Sequence, residues 1–481
     1  MDQDPRPKAH GLKRRRVLAI LLLIGAAALL VRERTRPQHL SRVPAEVPAL
    51  GPITIAATGD TLLYLPLGSG VRDPQTAAIL DLISGATLAF TNLEMPLLDE
   101  VEIEKASLTA APSRWPFGAR RDAQALGSLG FDLVSFANNH GNDYGADGLA
   151  STRRLLAEAG VLGAGAGADL AEARRPVLTS GGRRVALVAV TTSSLPGARA
   201  TAATPGVMGR PGVSPLRYAA DITVDSKTFE TLKQAVVDLK AGPPAGDRSL
   251  ELFGAPIALG DRTAVTFRVD AGDAQEVTEH IRAARAAAEV VVVSIHSHEP
   301  DNATDAPAEF VREFAHRAID AGAHLVVGHG PHRVRGVEAY GGGAILYSLG
   351  NFLYQPIPDF RVADDFDAGL DLYSTALGAL PARPAAPSGM PADLAWQDGL
   401  VALASFEDGR LSRLRIQPIT LTWDMPETAG LPRVPGPGSS LLDRLERLSR
   451  GWGTVFRREH GLGEVILPAG SPGGPTPWTV P

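Results

Sequence analysis

The chain of 481 residues contains no cysteine. That excludes disulfides, thiolate metal ligands and a lipidated cysteine. It leaves the redox compartment open, because a cytosolic protein and a disulfide-free secreted one fit equally. Aromatic residues are sparse at 5%, too few for the stacking platforms that hold single-stranded nucleic acid. Basic residues are scarce beyond the first segment. Residues 1–47 carry ten Lys/Arg against four Asp/Glu, and the remainder carries 37 against 49. An acidic body of this kind attracts neither nucleic acid nor an anionic lipid surface, and it repels a polyanion. What is plentiful describes a globular fold: 44% hydrophobic and 21% charged residues, with 51 Gly and 38 Pro to build turns and ordered loops. The length suits one large domain with insertions, or two ordinary ones.

Lys13-Arg14-Arg15-Arg16 precedes the apolar run Val17–Val31, which ends at Arg32-Glu33-Arg34. The run is short for a full span of about 17–25 residues and has the length of a signal h-region. Arg32, Arg34 and Arg36 follow it at once, which suits an uncleaved signal-anchor better than a processed signal. The positive-inside rule then puts residues 1–34 at a cell membrane as a single-pass anchor, with the bulk of the chain extracytoplasmic. A secreted or periplasmic protein after signal cleavage is the alternative. Residues 35–52 read as a linker.

From Ile53 onward short apolar runs alternate with helical patterns. Ile53–Thr58, Thr87–Thr91, Asp132–Ala137, Arg184–Val190, Glu289–Ile295 and Ala323–Val327 read as buried strands. Helices are predicted over 147–159 and 306–321, and a last one over 440–450. The alternation predicts an α/β domain with a largely parallel sheet. Hairpins are predicted for 336–340 with 344–348 and for 400–406 with 411–418. Residues 198–217 read as a long loop and 357–398 as a surface excursion. The tail 468–481 is Pro/Gly-rich.

The polar residues gather at strand ends. The runs finish in Gly59-Asp60, in Asn92-Leu93-Glu94 and in Asn138-Asn139-His140; two more finish in His296-Ser297-His298-Glu299 and in His329-Gly330-Pro331-His332. In an open α/β sheet that edge is where ligands bind, so the groups converge on one crevice. Six of the eleven histidines lie between His296 and His332. With Asp60 and Glu94 they form a sulfur-free N/O set suited to Mn, Fe or Zn. Two such ions would clamp a phosphoryl group and activate water, and His140 could protonate a leaving group. Each residue also has a plainer use. Asp60 could cap a turn and Glu94 could pair with an arginine. Asn138 and Asn139 cannot both face inward on extended backbone. The direction of His298, two residues past His296, is open. Asp143 reads as an N-cap of the 147–159 helix, and His316 and His324 read as structural.

These motifs resemble the CapA, or poly-gamma-glutamate capsule synthesis, family. The matching stretches are Gly59-Asp60, Asn92-Leu93-Glu94, Phe131–Gly145, Gly163-Ala164-Gly165, Val293–Glu299 and Val327–Phe352. The resemblance covers residues 53–356, with 399–467 as a weaker C-terminal part of the same domain. It implies a fold similar to calcineurin-like metallophosphoesterases, an α/β (α+β) sandwich of two mixed sheets flanked by helices, here with an N-terminal membrane helix. It implies divalent metal, two ions, held by Asp60, Glu94, Asn139, His296, His329 and His332. His140 would be the catalytic histidine, and His298, Glu299 and Asn138 are further ligand candidates. Three departures leave the ligand count at one ion open: Leu62 stands where phosphoesterases carry a histidine, His-Ser-His-Glu replaces the commoner His-Trp-Gly-x-Glu, and Gly330 replaces a second histidine of the last motif. The resemblance also implies a role with an envelope polymer or its synthesis and export machinery. Three functions compete: a metal-dependent hydrolase, a non-catalytic component of such a machine, and a general secreted phosphoesterase.

Overall fold

The computed structural model describes residues 52–468, apart from 65, 68–69, 100, 103–116, 181, 356–393, 424–427 and 429. The expected anchor and linker therefore lie outside the described residues, as do most of the expected excursion and all but the start of the tail. Among the described residues no helix is long and apolar enough to cross a membrane.

The apolar runs form strands. β1 (Ile53–Leu62), β2 (Leu88–Leu93) and β3 (Leu133–Ser135) belong to one sheet; β4 (Val185–Thr191), β5 (Val290–His296) and β6 (Leu325–His329) belong to another. Each set pairs in parallel. Every residue of β4, β5 and β6 is buried, as Val-rich strands covered on both faces must be.

Where the alternation of strands and helices pointed to one largely parallel sheet, the molecule has two mixed ones, as the resemblance implied. The first has ten strands. Its second half is antiparallel: Asp398–Glu407 pairs with β1, and Arg410–Leu421 returns beside it as a hairpin. β7 (Asn351–Tyr354) lies parallel to the end of β1. The second sheet has six strands, parallel in the middle and antiparallel at both edges, Val337–Tyr340 and Val177–Leu178. An apolar run dictates burial but not its partner. The 398–421 hairpin joins β1 from the far end of the sequence, which no local pattern announces.

Alternation along each strand builds the layers. Ile53, Ile55 and Ala57 of β1 face Leu187, Val292 and Val327 of the second sheet in a shared core. Ala56, Ala89 and Leu93 turn outward onto helices Pro74–Ser84, Arg120–Ser128 and Gly145–Glu158. Ala186, Val188, Val291 and Val293 turn onto helices Ala271–Ala287 and Glu309–Asp320. The result is helices, sheet, sheet, helices.

A further unit was not anticipated. Tyr218–Val224, Ser249–Leu252, Ala255–Leu259 and Ala264–Val269 form a four-stranded sheet, and with the helix Ser226–Leu239 it has its own small core around Phe229. Before it, the predicted 198–217 loop starts at the last residue of the short turn Pro196–Ala198 and contains a two-residue strand, Gly212–Val213, paired with Ala166–Gly167.

Candidate metal centre

The C-terminal ends of β1, β2, β3, β5 and β6 carry the polar groups to one place. Asp60 is aimed by irregular pairing on both sides of β1: the register shifts between Ala57 and Asp60 against β2, and between Asp60 and Thr61 against β7. Such bulges re-aim a side chain. The preceding residue must be glycine, because a Cβ on Gly59 would sit 1.9 Å from the carbonyl oxygen of Gly350. Asp60 is held there by its own N–H, which donates to that oxygen at 2.9 Å.

Asp60, Glu94, His296 and His329 are at most 1% exposed, and His332 is 7% exposed. His332 Nδ1 stands 3.5 Å from Asp60 Oδ2, and its Nε2 stands 3.5 Å from Glu94 Oε1. His296 Nε2 is 3.6 Å from Glu94 Oε1. His329 Nδ1 is 3.4 Å from Asp60 Oδ1, without hydrogen-bond geometry. Two trios have ligand atoms within 4.8 Å of one another: Asp60, Glu94 and His332, and Glu94, His296 and His298. Glu94 belongs to both.

Neighbouring amides fix the orientations. Asn92 Nδ2 donates to Asp60 Oδ1 at 2.8 Å and lies 3.4 Å from His296 Nδ1. His332 Nδ1 donates to Asn351 Oδ1 at 2.9 Å, which leaves Nε2 as the free nitrogen. His332 holds a left-handed backbone angle, φ 55°, and its ring lies against Trp396 at 4.3 Å. The backbone N–H of Gly330 donates to Asp60 Oδ2 at 3.2 Å.

The charges of this cluster do not cancel. Neither oxygen of Glu94, neither ring nitrogen of His329 and not Oδ1 of Asn139 has a hydrogen-bond partner, although all are buried. Burial, and then the carboxylates of Asp60 and Asp143, push Glu94 well above the usual carboxylate range. Burial and the surrounding imidazoles, His298 foremost, push His296 well below its ordinary value. Burial likewise lowers His332, and burial with His332 beside it lowers His298 to about 4. Asp60 is the exception: burial raises it, but His329, His332 and Asn92 outweigh that and hold it low. Neutral imidazoles and a buried carboxylate without donors are the state in which such groups bind cations. An unpaired buried polar group otherwise costs about 1–3 kcal/mol. The residues present fit a divalent metal.

The other candidates divide. His140 Nδ1 is 2.7 Å from Asp143 Oδ2. Asp143 is therefore a partner of His140 rather than the expected N-cap, a position taken by Tyr144 without a side-chain bond. Asn138 is committed elsewhere: its Nδ2 donates to Leu93 O at 2.7 Å and to Asn92 Oδ1, and its Oδ1 accepts from the His140 N–H. As a ligand candidate Glu299 is corrected, because its carboxylate turns to the hydroxyls of Thr192, Ser193 and Ser297, which satisfy it. Trp396 was assigned to a surface excursion, yet it packs on His332, and Asp398 opens a strand of the main sheet. Sequence reasoning gave no role to Asn351, Asn302 or Trp396. The pairing Asp60–Asn351 across β1 and β7 is what carries Asn351 in.

Comparisons with known proteins give the chain's family. Residues 54–356 match the family described as bacterial capsule synthesis protein PGA_cap. The chain is 32% identical over 429 residues to the uncharacterized protein y4sH of Sinorhizobium fredii, covering 86% of this chain and 93% of the other. It is 28% identical over 352 residues to a probable polyglutamine synthesis accessory protein of Mycobacterium tuberculosis, covering 71% and 68%. With the capsule biosynthesis protein CapA of Bacillus anthracis it shares 27% identity over 266 residues, 55% of this chain and 49% of that one. The chain belongs to the bacterial capsule synthesis protein PGA_cap family.

Proposed function

We propose that the chain is a metal-dependent hydrolase of envelope-polymer assembly, acting on a phosphoester or a related linkage. Its fold would be that of a metallophosphoesterase, and the run Val17–Val31 would anchor it at the cell membrane with the catalytic domain outside. The observation that carries the reading is Glu94: a fully buried carboxylate with no donor on either oxygen, shared by two clusters of imidazole and carboxylate. Asp60, Glu94, Asn139, His296, His329 and His332 would hold one or two divalent ions. Bound there, such ions supply Lewis acidity to a phosphoryl oxygen and lower the pKa of water. His140 would deliver a proton to the leaving oxygen, with Asp143 at 2.7 Å from its Nδ1 orienting the imidazole. The capsule and polyglutamine relatives suggest an envelope polymer or its precursor as the context.

One observation favours a second reading, a non-catalytic component of a synthesis or export complex with structural metal. Beyond residue 47 acidic residues outnumber basic ones by 49 to 37, which opposes direct polyanion binding unless metal neutralises the crevice. The full-length protein, assayed with Mn, Zn or Fe on bis-p-nitrophenyl phosphate, separates the two. The hydrolase turns over, and His140→Ala lowers kcat by about 10²–10⁴-fold with metal content unchanged. Equal rates for the two proteins remove His140 from the chemistry, and absence of turnover with every metal favours the component.

A further inference from the structure

His298, like His332, has its Nδ1 fixed by an asparagine. Its Nδ1 donates to Asn302 Oδ1 at 2.7 Å, so the ring's remaining nitrogen, Nε2, is an acceptor. That atom faces the Nε2 of His296 at 3.1 Å, and Glu94 Oε1 lies 3.6 Å from the same His296 nitrogen. On the far side of His296, Nδ1 lies 3.4 Å from the Asn92 amide. Ligand bonds of about 2.0–2.2 Å place neighbouring donors of one ion roughly 3.0–3.6 Å apart. The spacings fall in that range, and the carboxylate among them is buried without any hydrogen-bond donor.

The segment behind His298 is built to keep it there. Arg335, 1% exposed, donates to the backbone carbonyls of Glu299 at 3.0 Å and Asp301 at 2.9 Å. Arg333 donates to the carbonyls of Asn302 and Ala303. Glu299 is pinned by three hydroxyls, and the His298 N–H donates to Ser193 Oγ at 2.8 Å. Through these carbonyl contacts the two arginines, of which Arg333 also lies 3.6 Å from Asp305 Oδ1, fix the loop from which Asn302 reaches back to His298. Precise support of this kind is what a ligating imidazole requires.

We propose that His298 is a ligand of one ion together with Glu94 and His296, and that Asn302 is the residue that orients it. The inference rests on the metal-site reading above and makes the two positions unequal: one with two imidazoles and Glu94, the other with Asp60, Glu94 and His332. Cobalt(II) titration of the chelator-stripped full-length protein, followed by calorimetry and by the visible absorption of the bound ion, tests it. Wild type is expected to take up two equivalents. His298→Ala and His298→Gln should lose one equivalent, or bind it at least tenfold more weakly, and keep the other. Asn302→Ala, which leaves the imidazole in place, should weaken the same equivalent by about 10–100-fold and shift its absorption band. Two equivalents bound by both His298 variants with wild-type affinity overturn the role of His298 and leave the metal site standing. A wild-type protein that takes up no cobalt overturns both.

Discussion

Two buried imidazoles stand at opposite ends of one strand. His324 precedes β6 and His329 closes it, at 8% and 1% exposure. At His324 both nitrogens are used: Nδ1 accepts the Val291 N–H at 3.0 Å, and Nε2 donates to Gly409 O at 3.0 Å. At His329 neither nitrogen has a hydrogen-bond partner. The carboxylates repeat the contrast. Asp273 is buried in a cage of Arg174 and Arg217, with bonds of 2.7 Å from the Nε and Nη2 of Arg217, while Glu94 is equally buried with no donor at all. At His324 and Asp273 the fold closes buried polar groups on itself. At the crevice it leaves them open, although an open buried group is destabilising. The difference separates polar residues that hold the protein together from those we propose to bind a cation.

The comparison can be broken most forcefully at Asp273. Burial pushes its carboxyl up, but the bonds from Arg217 and Arg174 outweigh this and hold it below its usual value. Asp273→Ala removes the buried carboxylate shared by Arg174 and Arg217, so the protein should lose up to about 3–5 kcal/mol in denaturant unfolding, equally with and without divalent metal. A loss that metal restores would show that this cluster is no mere strut. His324 gives a smaller effect, visible through pH. Burial, and then the Arg285 charge, lower it to about 4, against about 6.5 in an unfolded chain. The unfolded state therefore binds the proton first. The stability contribution is whole above pH 6.5 and falls by about 1.4 kcal/mol per unit as pH drops toward 4. His324→Gln should lack that part of the slope; parallel slopes in wild type and variant would refute the assignment. The smallest effect has the opposite sign. With metal stripped at pH 7, Glu94→Gln removes a buried carboxyl whose ionisation burial, Asp60 and Asp143 oppose, and should raise stability by on the order of 1 kcal/mol. A decrease would mean that Glu94 is already paid for within the protein.

The same contrast explains what could be read from the sequence. The strands that bear the site were legible because Val-rich runs such as Val290–Ile295 have few options other than burial, and a run that stops in His or Asp marks its own end. The four-stranded unit was hidden because its strands are half exposed; Tyr218–Val224 and Ala264–Val269 mix Ala, Asp, Thr and Arg with their apolar residues. The orienting groups were hidden for another reason. Asn351 and Asn302 act through tertiary contacts that spacing does not encode, and Asp143 occupies a position where an N-cap is the ordinary expectation. Glu299, next to a histidine motif, attracts a ligand reading until three hydroxyls are seen to satisfy it. Trp396 belongs by sequence to a Pro/Ala-rich stretch, and its place on His332 follows from the strand that begins at Asp398.

Thermal unfolding of the chelator-stripped full-length protein, with Mn or Zn added back, goes straight to whether the open groups bind cations. Wild type should be stabilised by about 2.7 kcal/mol at a hundredfold excess over Kd, and Glu94→Gln should not respond. A wild-type protein indifferent to both metals, or a variant that responds as strongly as wild type, would contradict the account.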